Sequence, residues 1–242
     1  ETFPFLYPQT VSSYGLIDLC GFFKDWAYYL KAQWRDEKMI HLLPGWNLPE
    51  AEGEIIDVWA FSNCNEAELF LNGRSLGRKQ KNRLDKFTWQ CPYEKGTLRV
   101  VAYEDGHVVC EDSSVTAGKP VKLLLDTGKT TLEADGADIS VVNVTVTDRE
   151  GNEVTDADLE VRFSVTGPGA IKGVGNGKPD SLEHDKLPVR RLYAGKAVVL
   201  VESALQEGEI VLTAWADDVE PAAIRLQCEK AAHEPRILGR WG

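Results

Sequence analysis

Four histidines, His41, His107, His184 and His233, are the side chains best suited to move protons or hold a metal near neutral pH. They are scattered, with no HxH or HxxxH spacing, whereas a transition-metal site needs three or four convergent ligands. Glu183-His184-Asp185 is the one local cluster, and it reads as a solvated polar loop. Asp148, Glu150, Asn152 and Asp156 could offer oxygens to calcium, but they lack the EF-hand order and a closing bidentate Glu, so a strand-connecting turn is the better reading. No metal site and no cofactor are expected. Nucleophilic catalysis has no support either: there is no GxSxG, and Ser12-Ser13 has no histidine partner in sequence. Gly173-Val174-Gly175-Asn176-Gly177 has the look of a phosphate loop but opens no helix, so its glycines read as a rim loop that needs positive φ. Cys20, Cys64, Cys91, Cys110 and Cys228 show no CxxC spacing, which argues against zinc. They read as small buried hydrophobes, with one oxidised pair left open and the compartment undecided. Among 38 acidic residues no pair is privileged, so no catalytic residue is assigned. Flat aromatic faces can stack on sugar rings, and Trp46, Trp89 and Tyr93, with Asn47 beside the first, are the carbohydrate-contact candidates. The competing reading makes each ring a plug in a sandwich or domain interface.

The elements that must position these residues follow from periodicity. Across 242 residues, 43% are hydrophobic and 27% charged, ordinary values for one or two domains with a substantial core. A net charge of -11 repels a phosphate backbone, so nucleic acid is not an expected partner. The longest aliphatic run, Ala197 to Val201, is far short of the ~20 residues of a membrane span. Glu1 opens the chain with no basic-then-apolar signal segment, which reads as a piece of something longer.

Residues 1–20 are aromatic- and Pro-rich without a period, a loop leading into structure. Trp26, Leu30 and Trp34 recur every four residues, predicting one amphipathic helix from Lys24 to about Met39 whose stripe packs on something. Pro44, Gly45 and Pro49 then break the chain. From Glu54 the signals are β: Ile55 to Phe61, an Ala67 to Lys79 hairpin around Asn72-Gly73, Phe87 to Cys91, and Thr97 to Val115 turning at Asp105-Gly106. After Gly118-Lys119-Pro120 a second series runs through Val121 to Leu125, Ile139 to Thr147, Leu159 to Val165, Lys196 to Val201 and Glu209 to Ala216. The fold class expected is mainly β, with two tandem sandwiches. The domains are 1–40, 41–118 and 119–230, followed by a docking or disordered tail at 231–242.

Several stretches resemble a known family. The run Ser12-Ser13-Tyr14-Gly15-Leu16-Ile17-Asp18-Leu19-Cys20-Gly21-Phe22-Phe23-Lys24-Asp25, followed by Tyr28-Tyr29 and Trp34, resembles the last loop and helix of the catalytic (β/α)8 barrel in family 2 glycoside hydrolases of the β-galactosidase type. His41 to Asn47 and Glu66 to Gly77 are similar to the immunoglobulin-like domain that follows that barrel. Ala134 to Asp138, Gly173 to Gly177 and Arg190-Arg191 are similar to a further C-terminal domain and to bacterial invasin-type Ig repeats.

The resemblance implies a barrel remnant over 1–40 and two Ig-like sandwiches. Its retaining chemistry uses two Glu residues on earlier barrel strands, N-terminal to anything in this sequence. One helix cannot close an eight-stranded barrel, so the chain alone is expected to be inactive and to serve as a non-catalytic accessory region of a bacterial β-galactosidase-like enzyme. Its implied partner is its own missing catalytic barrel, with an oligomer contact as a further role and weak or no carbohydrate binding. The alternative is an independent sugar-binding or surface-adhesion module.

Overall fold

The computed structural model describes residues 7–9 and 14–232. The expectations placed on Ser12-Ser13, on His233 and on most of the 1–13 and 231–242 stretches lie outside the described residues. The chain divides into two compact units, one of them Tyr14–Ala117 and the other built on residues from Gly118 onward.

In the first unit a helix, α1 (Asp25–Trp34), precedes seven strands: β1 (Ile40–Leu43), β2 (Ile55–Ser62), β3 (Glu66–Leu71), β4 (Arg74–Gln80), β5 (Phe87–Pro92), β6 (Thr97–Glu104) and β7 (His107–Val115). They form a three-stranded sheet, β1-β2-β5, and a four-stranded sheet, β4-β3-β6-β7. Alternation puts Ala67, Leu69 and Leu71 of β3 and Phe87, Trp89 and Cys91 of β5 inward, where they meet Val58, Ala60, Leu98 and Val100 in one buried cluster. Each such large side chain removed from water contributes roughly 1.5–3 kcal/mol. Asn72 and Gly73 both take positive φ, 51° and 79°, as do Asp105 and Gly106 at 50° and 82°, which is the type I′ geometry expected of those dipeptides. β4 lies at a sheet edge, is exposed at all but one position, and carries Arg74, Arg78 and Lys79.

The helix is shorter than its sequence period predicts. It stops at Trp34, and β1, a strand the period does not reveal, begins six residues later. Asn63 is the reason. Its Nδ2 donates to the carbonyls of Arg35 and Glu37 at 3.1 and 2.8 Å, and its Oδ1 accepts from the Met39 N–H at 2.9 Å. One amide side chain thereby takes up the backbone of a segment whose residues are otherwise good helix formers.

The second unit has nine strands: β8 (Lys122–Asp126), β9 (Thr131–Glu133), β10 (Ile139–Thr147), β11 (Glu160–Thr166), β12 (Gly169–Gly175), β13 (Val189–Arg191), β14 (Lys196–Ser203), β15 (Gly208–Ala216) and β16 (Val219–Glu229). Their order is β12-β14-β10-β8-β16-β15-β11-β13, with β9 on β16. All ladders are antiparallel except β8 and β9 against β16. Val142, Val144 and Val146 of β10, Ile210 and Leu212 of β15 and Val199 and Val201 of β14 are all buried, giving this second sandwich its core. Gly173 and Gly175, expected in a rim loop, lie in β12 without positive φ; only Gly177 takes it, at 72°. A Cβ on Gly173 would come within 3.3 Å of the Asp185 carbonyl, so close backbone approach is what calls for glycine there.

Candidate functional site

Among the described residues, the segment from Tyr14 to Trp34 carries a concentration of exposed large apolar side chains. Asp18 organises its loop by accepting the N–H groups of Cys20 and Phe22 on Oδ1 at 2.8 and 3.0 Å. Ile17 and Phe23 form a bridge closed by the Lys24 N–H donating to the Leu16 carbonyl at 2.9 Å. In α1, Asp25 lies in the first turn and Lys31 in the last, each at the end the helix dipole favours. Ala32 is buried, and the rings of Trp26 and Tyr29 meet Phe61 of β2 at 5.3 and 5.4 Å. The Tyr29 hydroxyl donates to the Leu84 carbonyl at 3.0 Å.

The stripe that the sequence predicts as packed is only partly so. Trp34 remains 77% exposed and Trp26 55% exposed. Tyr14, Ile17, Leu19 and Phe23 of the preceding loop are exposed as well. Large apolar groups open to water are thus concentrated within twenty-one residues, whereas scattered exposed hydrophobics are the ordinary case.

His41 anchors the helix that bears this face. Its Nε2 is 3.1 Å from Asp25 Oδ1 on α1, and its Nδ1 is 3.5 Å from Asp112 Oδ2 on β7. Tyr28 stacks on the imidazole with centroids 3.8 Å apart. Asp112 also accepts the Leu42 N–H at 2.8 Å. Burial pulls the His41 pKa down, but the hydrogen bonds to Asp112 and then Asp25 outweigh it, and the net value lies above the ordinary 6.5. A 460 Å³ cleft lined by Tyr28, Lys31, His41, Glu111, Asp112 and Ser113 opens beside it. A general base needs one nitrogen free to take a proton from a nucleophile. Here a carboxylate faces each nitrogen, so the arrangement fastens α1 to β1 and β7 instead of doing chemistry.

The sugar-contact candidates have core roles in place of the expected one. Trp46, Trp89 and Tyr93 are all essentially fully buried. Trp46 donates its indole N–H to the Glu94 carbonyl at 3.0 Å, with its ring 4.9 Å from that of Tyr93. The Trp89 indole donates to the Gly77 carbonyl at 3.1 Å and lies against Phe87. No ring face is left for a sugar. Asn47 is half-buried, and its Oδ1 accepts the Ala117 N–H at 3.2 Å. The buried-ring reading describes these residues, because a tryptophan with a backbone acceptor for its N–H is best accommodated inside.

Two polar clusters flagged by sequence have structural owners. Asp148 accepts from the backbone of Gly118, Glu150 and Asn152 and from Asn152 Nδ2 at 2.8–3.1 Å, which holds its carboxyl below the usual carboxylate range. Glu183 and Asp185 serve Arg190, the buried member of the Arg190-Arg191 pair. Its Nη1 donates to Asp185 Oδ1 at 3.0 Å and to the Glu183 carbonyl at 3.2 Å. Among the described residues, no group of three or more His, Cys, Asp or Glu side chains converges as metal ligands would. No described helix is long and apolar enough to cross a membrane.

Residues 123–225 match the model of the glycoside hydrolase family 2 C-terminal domain 5, and residues 53–110 match a domain of unknown function, DUF4982. A β-galactosidase of Bacteroides ovatus is 39% identical over 95% of this chain. The chain belongs to the C-terminal region of glycoside hydrolase family 2. This family 2 chain spans 27% of the length of that relative. A β-glucuronidase of Formosa agariphila is 28% identical over 88% of the chain, which spans 22% of that protein. Among solved structures, a β-glycosidase from Bacteroides vulgatus matches 91% of the family 2 chain at 30% identity with a TM-score of 0.88, over 29% of its own length.

Proposed function

We propose that these residues are the non-catalytic accessory end of a β-galactosidase-like glycoside hydrolase, and that the exposed face from Tyr14 to Trp34 is where the chain meets the catalytic barrel of its parent. The reading takes residues 41–118 and 119–230 as two Ig-like sandwiches that brace the barrel. The observation that carries it is the concentration of exposed aromatic and aliphatic side chains on one loop and helix, in a unit whose sheets are otherwise well packed. His41, clamped between Asp25 and Asp112, sets the height and tilt of that face on the sandwich. The relatives named as β-galactosidase and β-glucuronidase support a parent that hydrolyses β-glycosides, with the two carboxylates that cleave the bond supplied from outside this chain.

The test compares one substitution in two contexts. Trp34→Glu, at a side chain already in water, changes the stability of the isolated chain by less than about 0.5 kcal/mol. In the parent enzyme the same change buries a carboxylate against the barrel, so hydrolysis of a chromogenic β-galactoside or β-glucuronide after mild heating drops well below wild type. Equal heat resistance of wild-type and Trp34→Glu parent would defeat the reading, as would turnover of either substrate by the isolated chain.

A further inference from the structure

We propose that the second sandwich carries a binding site for a neutral oligosaccharide, in a cleft of 670 Å³ walled by three stretches of chain: 155–158, 176–183 after β12, and 191–194 at the end of β13 and the turn beyond it. All three lie within one unit, so the site needs no barrel; it goes beyond the accessory reading and does not depend on it. Clefts of ~300–1,000 Å³ are the usual size for small-molecule ligands. The walls are fixed to one another by polar side chains. Asn176, which is buried, donates through Nδ2 to the Arg191 carbonyl at 3.0 Å and accepts the Lys178 N–H on Oδ1 at 3.1 Å. Glu183 accepts the Arg191 N–H at 3.0 Å. The turn after Tyr193 is pressed against the third wall, where a Cβ on Gly195 would come within 2.4 Å of the Val154 carbonyl oxygen. Ala194 beside it keeps a φ of 50°, a left-handed conformation that a non-glycine residue holds only where its surroundings over-determine it. The cleft is therefore built in advance of any ligand.

The chemistry of its lining selects the ligand. Tyr193 and Leu182 line the cleft while 42% and 57% exposed. The Tyr193 ring stacks on no described ring or cation, and its hydroxyl bonds to no described residue, so both its flat face and its polar tip are open to a ligand. Three of the four acids of the cleft sit beside a cation. Asp158 Oδ1 is 3.3 Å from Arg191 Nη1, Asp180 Oδ1 is 3.7 Å from Lys178 Nζ, and Glu183 Oε2 is 3.7 Å from Arg190 Nε. Charges matched in this way leave little net field to hold a free ion, and no three described ligands converge for a metal. What they leave is hydrogen-bonding capacity. A carboxylate has about four lone-pair sites, more than one cation uses, and Arg191 Nε and Nη2 donate to no described residue. Acceptors and donors side by side with an open aromatic face match a pyranose, whose hydroxyls donate and accept and whose C–H face is apolar. A uronate would add a carboxylate to a cleft that already holds more acids than bases.

The experiment titrates the full chain with β-1,4-galactotriose, cellotriose and methyl β-glucuronide and follows its backbone amides by NMR. The expected result is saturable shifts at Ala157, Leu182 and Tyr193 with a neutral trisaccharide, at a Kd of about 1 mM, and weaker or no response to the glucuronide. Tyr193→Phe keeps the ring and binds within about threefold of wild type, while Tyr193→Ala binds about tenfold more weakly. Urea midpoints of the variants separate a local loss from a folding defect. Asp158→Ala, at a side chain 74% exposed, serves as the second variant and weakens binding about threefold or more. No saturable shift with either trisaccharide up to about 20 mM, saturation mapped to amides away from the cleft, tighter binding of the glucuronide than of both trisaccharides, or a Tyr193→Ala chain that binds as wild type does would each overturn the proposal. None of these outcomes touches the Trp34→Glu comparison, which reads the barrel contact alone.

Discussion

Asp148 shows what a single carboxylate does in this protein. Four donors converge on it, three of them backbone N–H groups that no other described acceptor satisfies, and together they close the turn between β10 and the strand bridge at Glu153. Removing the acceptor leaves those donors unpaired in a buried place, so Asp148→Ala is expected to cost about 2 kcal/mol, measured by urea unfolding. Its folded pKa lies below the unfolded value near 3.9, so its contribution is intact above that pH and is lost as pH falls through the folded value. His41 behaves oppositely. Its folded pKa is raised, so the clamp on α1 contributes fully below about pH 6.5 and weakens as pH climbs through the folded value. Hydrogen exchange of the α1 amides should therefore accelerate, beyond the intrinsic base catalysis, as pH rises above about 6.5, and His41→Gln should remove that excess.

At the level of elements, the strands were largely legible and so was the start of α1, but its C-terminal end was not. Alternation in β10 and β3 and the Asn-Gly and Asp-Gly turns are local signals, written in neighbouring residues. β1 and the stop after Trp34 depend on Asn63, some thirty residues on, and no window across 24–39 contains it. Asn63→Ala is expected to destabilise the first sandwich by about 2 kcal/mol and to lengthen α1, visible as increased helical circular dichroism in the mutant. β12 was missed for a related reason: Gly173 and Gly175 lower strand propensity, and what keeps them extended is pairing with β14. The Ala194-Gly195 turn was hidden as well, because alanine at a φ of 50° breaks the usual preference for Asn, Asp or Gly. The candidate site divides the same way. The Trp26, Leu30 and Trp34 stripe could be read from spacing, but its exposure could not, since periodicity reports a face without saying what covers it. Trp46, Trp89 and Tyr93 are the complementary case. Their placement near loops suggested access, and only the packing of two sheets shows their rings enclosed.

For the molecule as a whole, two cores with their own ladders argue for two folding units. A segment of 118–232 retains Gly118, the donor that Asp148 requires, and is expected to fold alone with a single cooperative urea transition; a broad, non-cooperative loss of structure would show that its core needs the rest of the chain. The acidic balance of -11 acts at this scale too, keeping copies apart in dilute buffer and less so in concentrated salt. The cationic rim of β4 bears on the same matter. An open strand border is a template onto which a second molecule can add, and stacking there would have to desolvate the long charged side chains of Arg74, Arg78 and Lys79, which are tied to Glu94, Glu66 and the Thr88 carbonyl. With Arg78 and Lys79 exchanged for threonine, that border becomes a nucleus for fibrils, so concentrated stocks of the exchanged protein should gain thioflavin fluorescence on storage while the native chain stays clear.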